Sequence, residues 1–278
     1  MSNIDYLTWL IPLAPLIGCI VCAAMAFGGD TKDAHFPAIF SLVASAAFSI
    51  FLLMTWNTES VDGGYEIVEG YRYIEIGGTN LTLSLRVDTL ALTLLSVVTS
   101  ISAMIAIYSM GYMHGDPGYA RYFAVFCGFV FSMTMLVLSH NLLMMYGFWE
   151  GVGTCSYLLI GFWFRKPSAA RAATKAFLVN RIADTGFLFG ILLLSYAIGH
   201  TGVGASVNWY SRLDFQTIFD AAPVLAEKHA GLLVVIAFLL MIGAIGKSAQ
   251  FPFHVRSEEH TSELQSHSDL VCRLLLEK

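Results

Sequence analysis

Apolar runs of about 20 residues recur along this 278-residue chain and restrict the folds that it can adopt. The hydrocarbon core of a bilayer is about 30 Å thick, and a helix needs roughly 20 apolar residues to cross it. The pattern predicts an all-α fold, a polytopic bundle of about seven membrane-spanning helices. Their expected bounds are Tyr6–Phe27, Phe36–Trp56, Thr89–Tyr112, Tyr122–Leu138, Leu142–Phe164, Ala176–Ile198 and Gly231–Gly246. The first run is too long, and lacks the preceding basic residues, for a cleaved signal peptide.

Composition excludes several other classes of protein. Apolar residues make up 56% of the chain and charged residues 13%, whereas soluble domains carry about 25% charged residues. A disordered chain would be poor in apolar residues. The net charge of −5, with no long basic stretch, argues against binding to nucleic acid. The expected surrounding is therefore the lipid bilayer.

The five cysteines do not indicate a disulfide framework or a metal centre. Cys19 and Cys22 form a C-x-x-C pattern, but it lies within the first apolar run with no second pair nearby. We interpret these thiols as small packing residues and predict no metal site.

A cluster of cations after the fifth run sets the expected orientation. Basic residues concentrate in the short loops on the cytoplasmic side of membrane proteins. We therefore expect the N-terminus and residues 58–86 to lie outside. The cluster consists of Arg165, Lys166, Arg171, Lys175 and Arg181.

Two external segments have patterns of their own. Tyr71–Ile76, the Gly77-Gly78 pair and Leu81–Leu85 predict a short β-hairpin within residues 58–88. The long polar loop Thr201–Lys228 is also expected outside, with a short amphipathic helix around Leu213–Phe219.

Three charged residues lie inside the apolar runs: Glu150, Asp184 and Lys247. A charge at the bilayer centre costs a few kcal/mol, so such residues face an interior and serve a function. An acid and a base on different helices can exchange a proton, and their separation and hydration shift both pKa values. Structural alternatives remain: a neutral Glu150 satisfied by a neighbour, an Arg181–Asp184 ion pair at i,i+3, and a Lys247 that reaches the interface.

Glycines surround two of these charges. Gly147, Gly151 and Gly153 flank Glu150, and small residues of this kind allow close helix packing. Gly243 and Gly246 precede Lys247, and Pro252 follows it, a pattern that favours a broken helix whose freed carbonyls hold water or a lysine. Just beyond, His254 is a further candidate for proton transfer.

Several motifs resemble the subunit L family of complex I, the proton-pumping NADH-quinone oxidoreductase. The resemblance covers about Met1–Val255 and is strongest around Glu150 and Lys247. The motifs are Leu85–Asp88, Gly111–Met113, Gly118–Phe123, Asn141–Phe164, Lys175–Phe177, Asn180–Asp184 and Gly243–Pro252.

This resemblance implies an antiporter-like inverted-repeat fold, of which this chain would form the first part. Glu150 and Lys247 match the pair that gates a proton half-channel in the family, and Asp184 matches an acid that modulates it. The chain itself would hold no cofactor, because NADH, FMN, iron–sulfur clusters and quinone belong to partner subunits. The implied partners are other complex I membrane subunits, and the implied location is the bacterial inner membrane.

Two further interpretations stay open. A related subunit of a cation/proton antiporter or of a membrane-bound hydrogenase would carry the same residues, and a purely structural fragment is the third possibility. We expect two segments: residues 1–255, a truncated antiporter-like domain, and residues 256–278, a polar tail. Arg256–Ser266 resembles the translation of a sequencing adapter, which predicts a non-native tail.

Overall fold

Eight α-helices and four β-strands form the part of the chain that the computed structural model describes: residues 3–29, 32–56, 64–70, 72–76, 79–201 and 207–256. The helices are α1 Asn3–Gly28, α2 His35–Thr55, α3 Thr89–Tyr112, α4 Tyr119–Val137, α5 Leu142–Ile160, α6 Pro167–Gly199, α7 Phe215–Lys228 and α8 Ala230–Lys247. The strands are β1 Tyr65–Val68, β2 Arg72–Ile76, β3 Thr79–Thr82 and β4 Leu85–Asp88. Of the expected polar tail, all but Arg256 lies outside these residues.

Six of the helices are long and apolar enough to cross a membrane: α1, α2, α3, α4, α6 and α8. Six of the seven predicted spans are thus confirmed. The fifth, Leu142–Phe164, forms helix α5, which contains Glu150 with its glycine, tyrosine and tryptophan neighbours and is not among the six. Helix α5 packs between α4 and α6 and is enclosed by the bundle on those two sides.

Helix α6 is much longer than the predicted span Ala176–Ile198. It begins at Pro167, which occupies the first turn, where its missing N–H costs nothing. At 33 residues it is about 50 Å long, more than the roughly 30 Å of a hydrocarbon core. Its basic first turns therefore extend beyond the apolar layer.

Two prolines lie inside α1, at positions 12 and 15. Proline has no N–H, so Pro15 cannot donate to the carbonyl of Ile11 one turn earlier. Ser45 of α2 donates its hydroxyl to that carbonyl at 2.7 Å. The interruption in α1 thereby becomes a contact between α1 and α2.

The four strands form two antiparallel pairs. Strands β2 and β3 pair with Ile76 opposite Thr79, which confirms the predicted hairpin; its Gly77-Gly78 turn lies outside the described residues. The predicted second strand Leu81–Leu85 is divided, because β4 pairs with β1 instead. Asp88 ends β4 and accepts a hydrogen bond from Ala91 N at 2.8 Å, which caps α3.

Three clusters of buried residues form the core: two lie mainly in the half of the bundle made by α1 to α4 and the strands, and one lies in the half made by α5 to α8. Helices α1 to α4 pack together around buried Phe123 and Leu42. Helices α5, α6, α7 and α8 pack around Phe187, Ile191 and Leu225. The last of these lies on α7, an amphipathic helix of 14 residues, longer than predicted. Because α5 contacts both α4 and α6, its polar residues lie at the junction of the two halves.

Candidate functional site

Helices α5, α6 and α8 carry the three predicted site residues, and close packing between α6 and α8 brings them together. A Cβ atom added to Gly246 would overlap Ala183 of α6, and one added to Gly243 would lie 2.7 Å from Phe187 Cβ. The two glycines thus allow α8 to approach α6 closely, as the sequence predicted. This approach places Lys247, at the end of α8, beside α5.

Glu150 pairs with an arginine of the neighbouring helix. Arg181 Nη1 lies 2.5 Å from Glu150 Oε1, and the glutamate side chain is 18% exposed. Tyr146, one turn earlier on α5, donates its hydroxyl to the same oxygen at 3.0 Å. The alternative of an Arg181–Asp184 ion pair is wrong, because the rotation of α6 directs Arg181 toward α5.

Asp184 is buried, with 2% of its surface exposed. Its Oδ1 accepts a hydrogen bond from the indole Nε1 of Trp149 at 2.7 Å. The Trp149 ring also packs on Phe187, with 5.2 Å between ring centroids. One turn before Asp184, the Oδ1 atom of buried Asn180 lacks a hydrogen-bond partner among the described residues. A buried acceptor of this kind is usually satisfied by an ordered water.

Lys247 contacts the same tryptophan from the other side. Its Nζ donates to the Trp149 carbonyl at 3.0 Å and lies 5.3 Å from the centre of the indole ring. A Cβ atom on Gly153 would lie 2.9 Å from this Nζ, so the glycine leaves room for the ammonium group. Lysine at a helix end can instead extend to the interface, but Lys247 is directed at α5.

The α-helical conformation stops directly after Lys247, the region where the sequence predicts a broken helix. Helix α8 ends at Lys247, and a turn leads to a short 3-10 segment at Phe253–Arg256. The last helical carbonyls accept from Ser248, Ala249 and Gln250. His254 is exposed and stacks on Phe251.

Trp149 is the residue that sequence reasoning missed. It contacts Asp184 through its indole N–H and Lys247 through its carbonyl and ring, and it directly precedes Glu150. An indole N–H inside an apolar segment needs a hydrogen-bond acceptor, which was the available signal. Tyr146 was also missed, although its i,i+4 spacing to Glu150 on one helix permits the contact.

A second polar cluster lies at the N-terminal end of α5. Asn141 Nδ2 donates to Asp214 Oδ1 at 2.7 Å and to the Tyr210 carbonyl at 3.0 Å. Its Oδ1 accepts from Leu143 N at 2.8 Å and caps α5. His140 Nε2 lies 3.8 Å from Asp214 Oδ1. This cluster attaches the start of α5 to the segment before α7.

Burial shifts the proton affinities in this second cluster. Burial lowers the pKa of His140 below its usual value, and the nearby Arg86 charge lowers it further, whereas the Asp214 charge opposes both. Burial also raises the pKa of Asp214, against the hydrogen bond from Asn141. The pair is therefore less charged at a given pH than the same groups would be in water.

Two family models match this chain. NADH:quinone oxidoreductase/Mrp antiporter, TM, matches residues 139–256, which contain all the site residues described above, and NADH-Ubiquinone oxidoreductase (complex I), chain 5 N-terminus, matches residues 73–123. The chain is 37% identical over 265 residues to chloroplastic NAD(P)H-quinone oxidoreductase subunit 5 of Zygnema circumcarinatum. The aligned region covers 92% of this chain and 35% of the relative. It is also 37% identical over 258 residues to NADH-quinone oxidoreductase subunit L of Neisseria meningitidis serogroup B, over 88% of this chain and 36% of that relative.

Two solved structures share the fold. The Mrp complex from Dietzia sp. DQ12-45-1b superposes with a TM-score of 0.67 at 24% identity, over 90% of this chain and 24% of that chain. An archaeal membrane-bound sulfane sulfur reductase superposes with a TM-score of 0.70 at 17% identity, over 90% of this chain and 46% of that chain.

Taken with the charged residues on α5, α6 and α8, these matches define the class as an antiporter-like membrane subunit. The chain belongs to the family of complex I chain 5 and Mrp antiporter subunits. It spans about a third of the length of the curated relatives it matches.

Proposed function

We propose that this protein is a membrane subunit of a proton-translocating NADH-quinone oxidoreductase, in which Glu150, Asp184 and Lys247 carry protons. The observation that supports it best is the continuous set of contacts across three helices. Arg181 pairs with Glu150, Trp149 is the residue directly before Glu150 on the same helix, and Trp149 contacts both Asp184 and Lys247.

The chemistry of the side chains divides the roles. An arginine does not lose its proton in a protein, so Arg181 remains a cationic partner of Glu150 while the two are paired. A lysine ammonium can release a proton when buried, and it regains one when a carboxylate approaches. Trp149 does not titrate and serves to position Asp184 and Lys247.

A proton step then requires Arg181 to move away from Glu150. Withdrawal of that cation leaves the Glu150 carboxyl available to a proton or to Lys247. Arg181 is 43% exposed at its side chain, so it has space to withdraw toward the basic end of α6. The buried Asn180 Oδ1, one turn of α6 before Asp184, is an acceptor that a water could satisfy.

In this proposal the chain contributes translocation, and electron transfer takes place elsewhere. NADH, FMN, iron–sulfur clusters and quinone would be bound by partner subunits, alongside other membrane subunits of the complex. Within the described residues, no group of three or more His, Cys, Asp or Glu side chains is placed to hold a metal ion. We propose a bacterial cell membrane as the location, with the N-terminus outside.

A cation/proton antiporter is the second candidate, because one matching family model is named for both classes. The same acids and lysine would serve there. The two candidates differ in the driving force: an oxidoreductase subunit moves protons when NADH is oxidised, whereas an antiporter moves them in exchange for an applied cation gradient.

The test replaces Glu150 by Gln in the complete protein, assembled with its partners in inverted membrane vesicles. The vesicle interior should acidify roughly tenfold or more slowly per NADH oxidised, because the amide cannot accept a proton. Glu227→Gln, which removes an exposed carboxylate on α7, is the control and should pump normally. Normal pumping by Glu150→Gln would assign the carboxyl a structural role. Acidification that needs a sodium gradient rather than NADH would favour the antiporter.

A further inference from the structure

An apolar groove of about 810 Å³ lies between α1, α4 and α5, away from the charged site. It opens at the end of the bundle where α1 ends, α4 begins and α5 leads into α6. All three helices contribute to its walls. The apolar part is lined by Ala23 and Ala26 of α1, Val125 and Gly128 of α4, and Cys155 and Leu158 of α5.

Three cations surround the open end of this groove: Arg121, Arg165 and Lys166. Arg121 donates its Nη2 to the Phe162 carbonyl at 2.7 Å, and its guanidinium lies 4.7 Å from the centre of the Phe162 ring. A guanidinium has five N–H donors, so one such bond leaves others that can reach a phosphate. Lys166 lies 4.8 Å from the centre of the Trp163 ring.

Asp116 also lines this end, and its carboxylate offsets one of the three cations, which leaves these four side chains with a net positive charge. Asp116 accepts from Gly118 N at 2.7 Å and from the indole Nε1 of Trp163 at 2.9 Å. Both of its oxygens are therefore engaged in holding the turn before α4. Trp163 itself is typical of a side chain at the boundary between headgroups and hydrocarbon.

The deep end of the groove is narrow. A Cβ atom on Gly128 would lie 3.4 Å from Cys19 Sγ and 3.7 Å from Cys155 Sγ, so α1 and α5 both approach α4 there. From Arg121 to Gly128 the groove runs about 10 Å along α4. A helix about 10 Å in diameter is too wide for this deep end of the groove, whereas a single hydrocarbon chain fits it.

We propose that the groove binds one acyl chain of an anionic phospholipid, with the phosphate held by Arg165, Lys166 and Arg121. Charge and shape both favour this ligand. A free phosphate ion would satisfy the cations and leave the apolar walls exposed, and a zwitterionic lipid would bring its own cation to a cationic rim. Basic pockets between membrane helices are suited to anionic headgroups.

The test uses the complete complex in phosphatidylcholine nanodiscs that contain a small fraction of phosphatidylglycerol with a photoreactive acyl chain. Cross-linked peptides are identified by mass spectrometry. The wild type should form adducts within residues 19–26 and 155–158. Arg165→Gln with Lys166→Gln should lower occupancy about 25-fold at subsaturating lipid, since each cation contributes roughly fivefold.

Matched variants separate the groove from general membrane charge. Arg171→Gln with Lys175→Gln removes the same charge from α6 outside the groove and should leave the adducts unchanged. Ala23→Trp fills the groove and should abolish them, whereas Ala24→Trp, on the exposed face of α1, should not. Equal labelling by photoreactive phosphatidylcholine, insensitivity to the Arg165 and Lys166 changes, or cross-linking of these residues to another polypeptide segment would overturn the proposal.

Discussion

Lys247 is held against α5 by the carbonyl and the ring of Trp149. Substitutions at position 247 can therefore distinguish a structural lysine from one that carries protons. A structural lysine needs only its positive charge, whereas a proton carrier must also be able to lose it. Arginine keeps the charge and cannot release a proton.

We predict that Lys247→Arg lowers proton translocation about as far as Lys247→Ala does. The measurement is vesicle acidification per NADH oxidised, with the quantity of assembled complex determined in parallel. Near-normal acidification in the arginine variant would exclude a relay role for Lys247.

Gly153 offers a second test of the same contact. A methyl group there would lie 2.9 Å from Lys247 Nζ and displace the ammonium from the Trp149 carbonyl. We predict that Gly153→Ala slows translocation severalfold while assembly continues. Gly147→Ala on the same helix is the control, because nothing lies within 4 Å of its added Cβ. Equal activity of the two variants would show that the position of Lys247 does not matter.

The three charged residues of the site were predictable from sequence, but their partners were not. Glu150, Asp184 and Lys247 stand out because each interrupts an apolar run. The pairing of Arg181 with Glu150 rather than Asp184 depends on how α6 is rotated against α5, and Trp149 acts through a backbone carbonyl as well as its side chain. Residue spacing along one helix does not encode either fact.

The helices and strands were also predictable only in part. The spans were predictable because 20-residue apolar runs have few alternatives in a bilayer. The extension of α6 to Pro167 was missed because its first turns are polar and lack the apolar signal. The pairing of β1 with β4 was missed because the contact joins segments on either side of the hairpin.

The close contact of α6 and α8 leads to a stability prediction. A methyl group on Gly246 would overlap Ala183, so Gly246→Ala must force the helices apart. We expect a loss of about 1–3 kcal/mol of stability, which is typical of overpacking. Gly231→Ala, at the open start of the same helix, should be neutral or slightly stabilising. Thermal unfolding in detergent measures both, and equal melting temperatures would contradict the close packing.

The polar cluster at the start of α5 predicts a pH dependence. Because burial lowers the pKa of His140, the unfolded chain binds more protons at this residue than the folded one does. Stability from this residue is thus complete above its unfolded pKa of about 6.5 and is lost as the pH falls toward the folded value. The raised pKa of Asp214 acts in the opposite sense, adding stability as the pH falls through its folded value.

His140→Gln isolates the histidine contribution. The variant keeps a polar side chain that does not titrate, and Asp214 and Arg86 remain beside it. We predict that the melting temperature of the wild type, relative to His140→Gln, declines between pH 7.5 and pH 5.5. A difference that stays constant over this range would show that His140 titrates as it does in water.

The orientation of the bundle follows from its charge distribution and from the connections between helices. The basic residues at the start of α6 lie at the end of the bundle where α1 ends and α4 begins, and the cluster around Asn141 marks the opposite end of α5. Cationic short loops remain on the cytoplasmic side. On this basis we predict that α7 and the strands lie outside with the N-terminus, and that the groove between α1, α4 and α5 opens to the cytoplasmic leaflet.

Single cysteines at two exposed lysines test this orientation. Lys228→Cys, at the end of α7, should react with a membrane-impermeant maleimide added to intact cells. Lys166→Cys, before α6, should react only in inverted vesicles. Both belong in a background that lacks the five native cysteines, because Cys19 and Cys155 are only partly buried. The reverse labelling pattern would invert the topology, and it would require the basic residues of α6 to have crossed the membrane, against the charge bias that holds them inside.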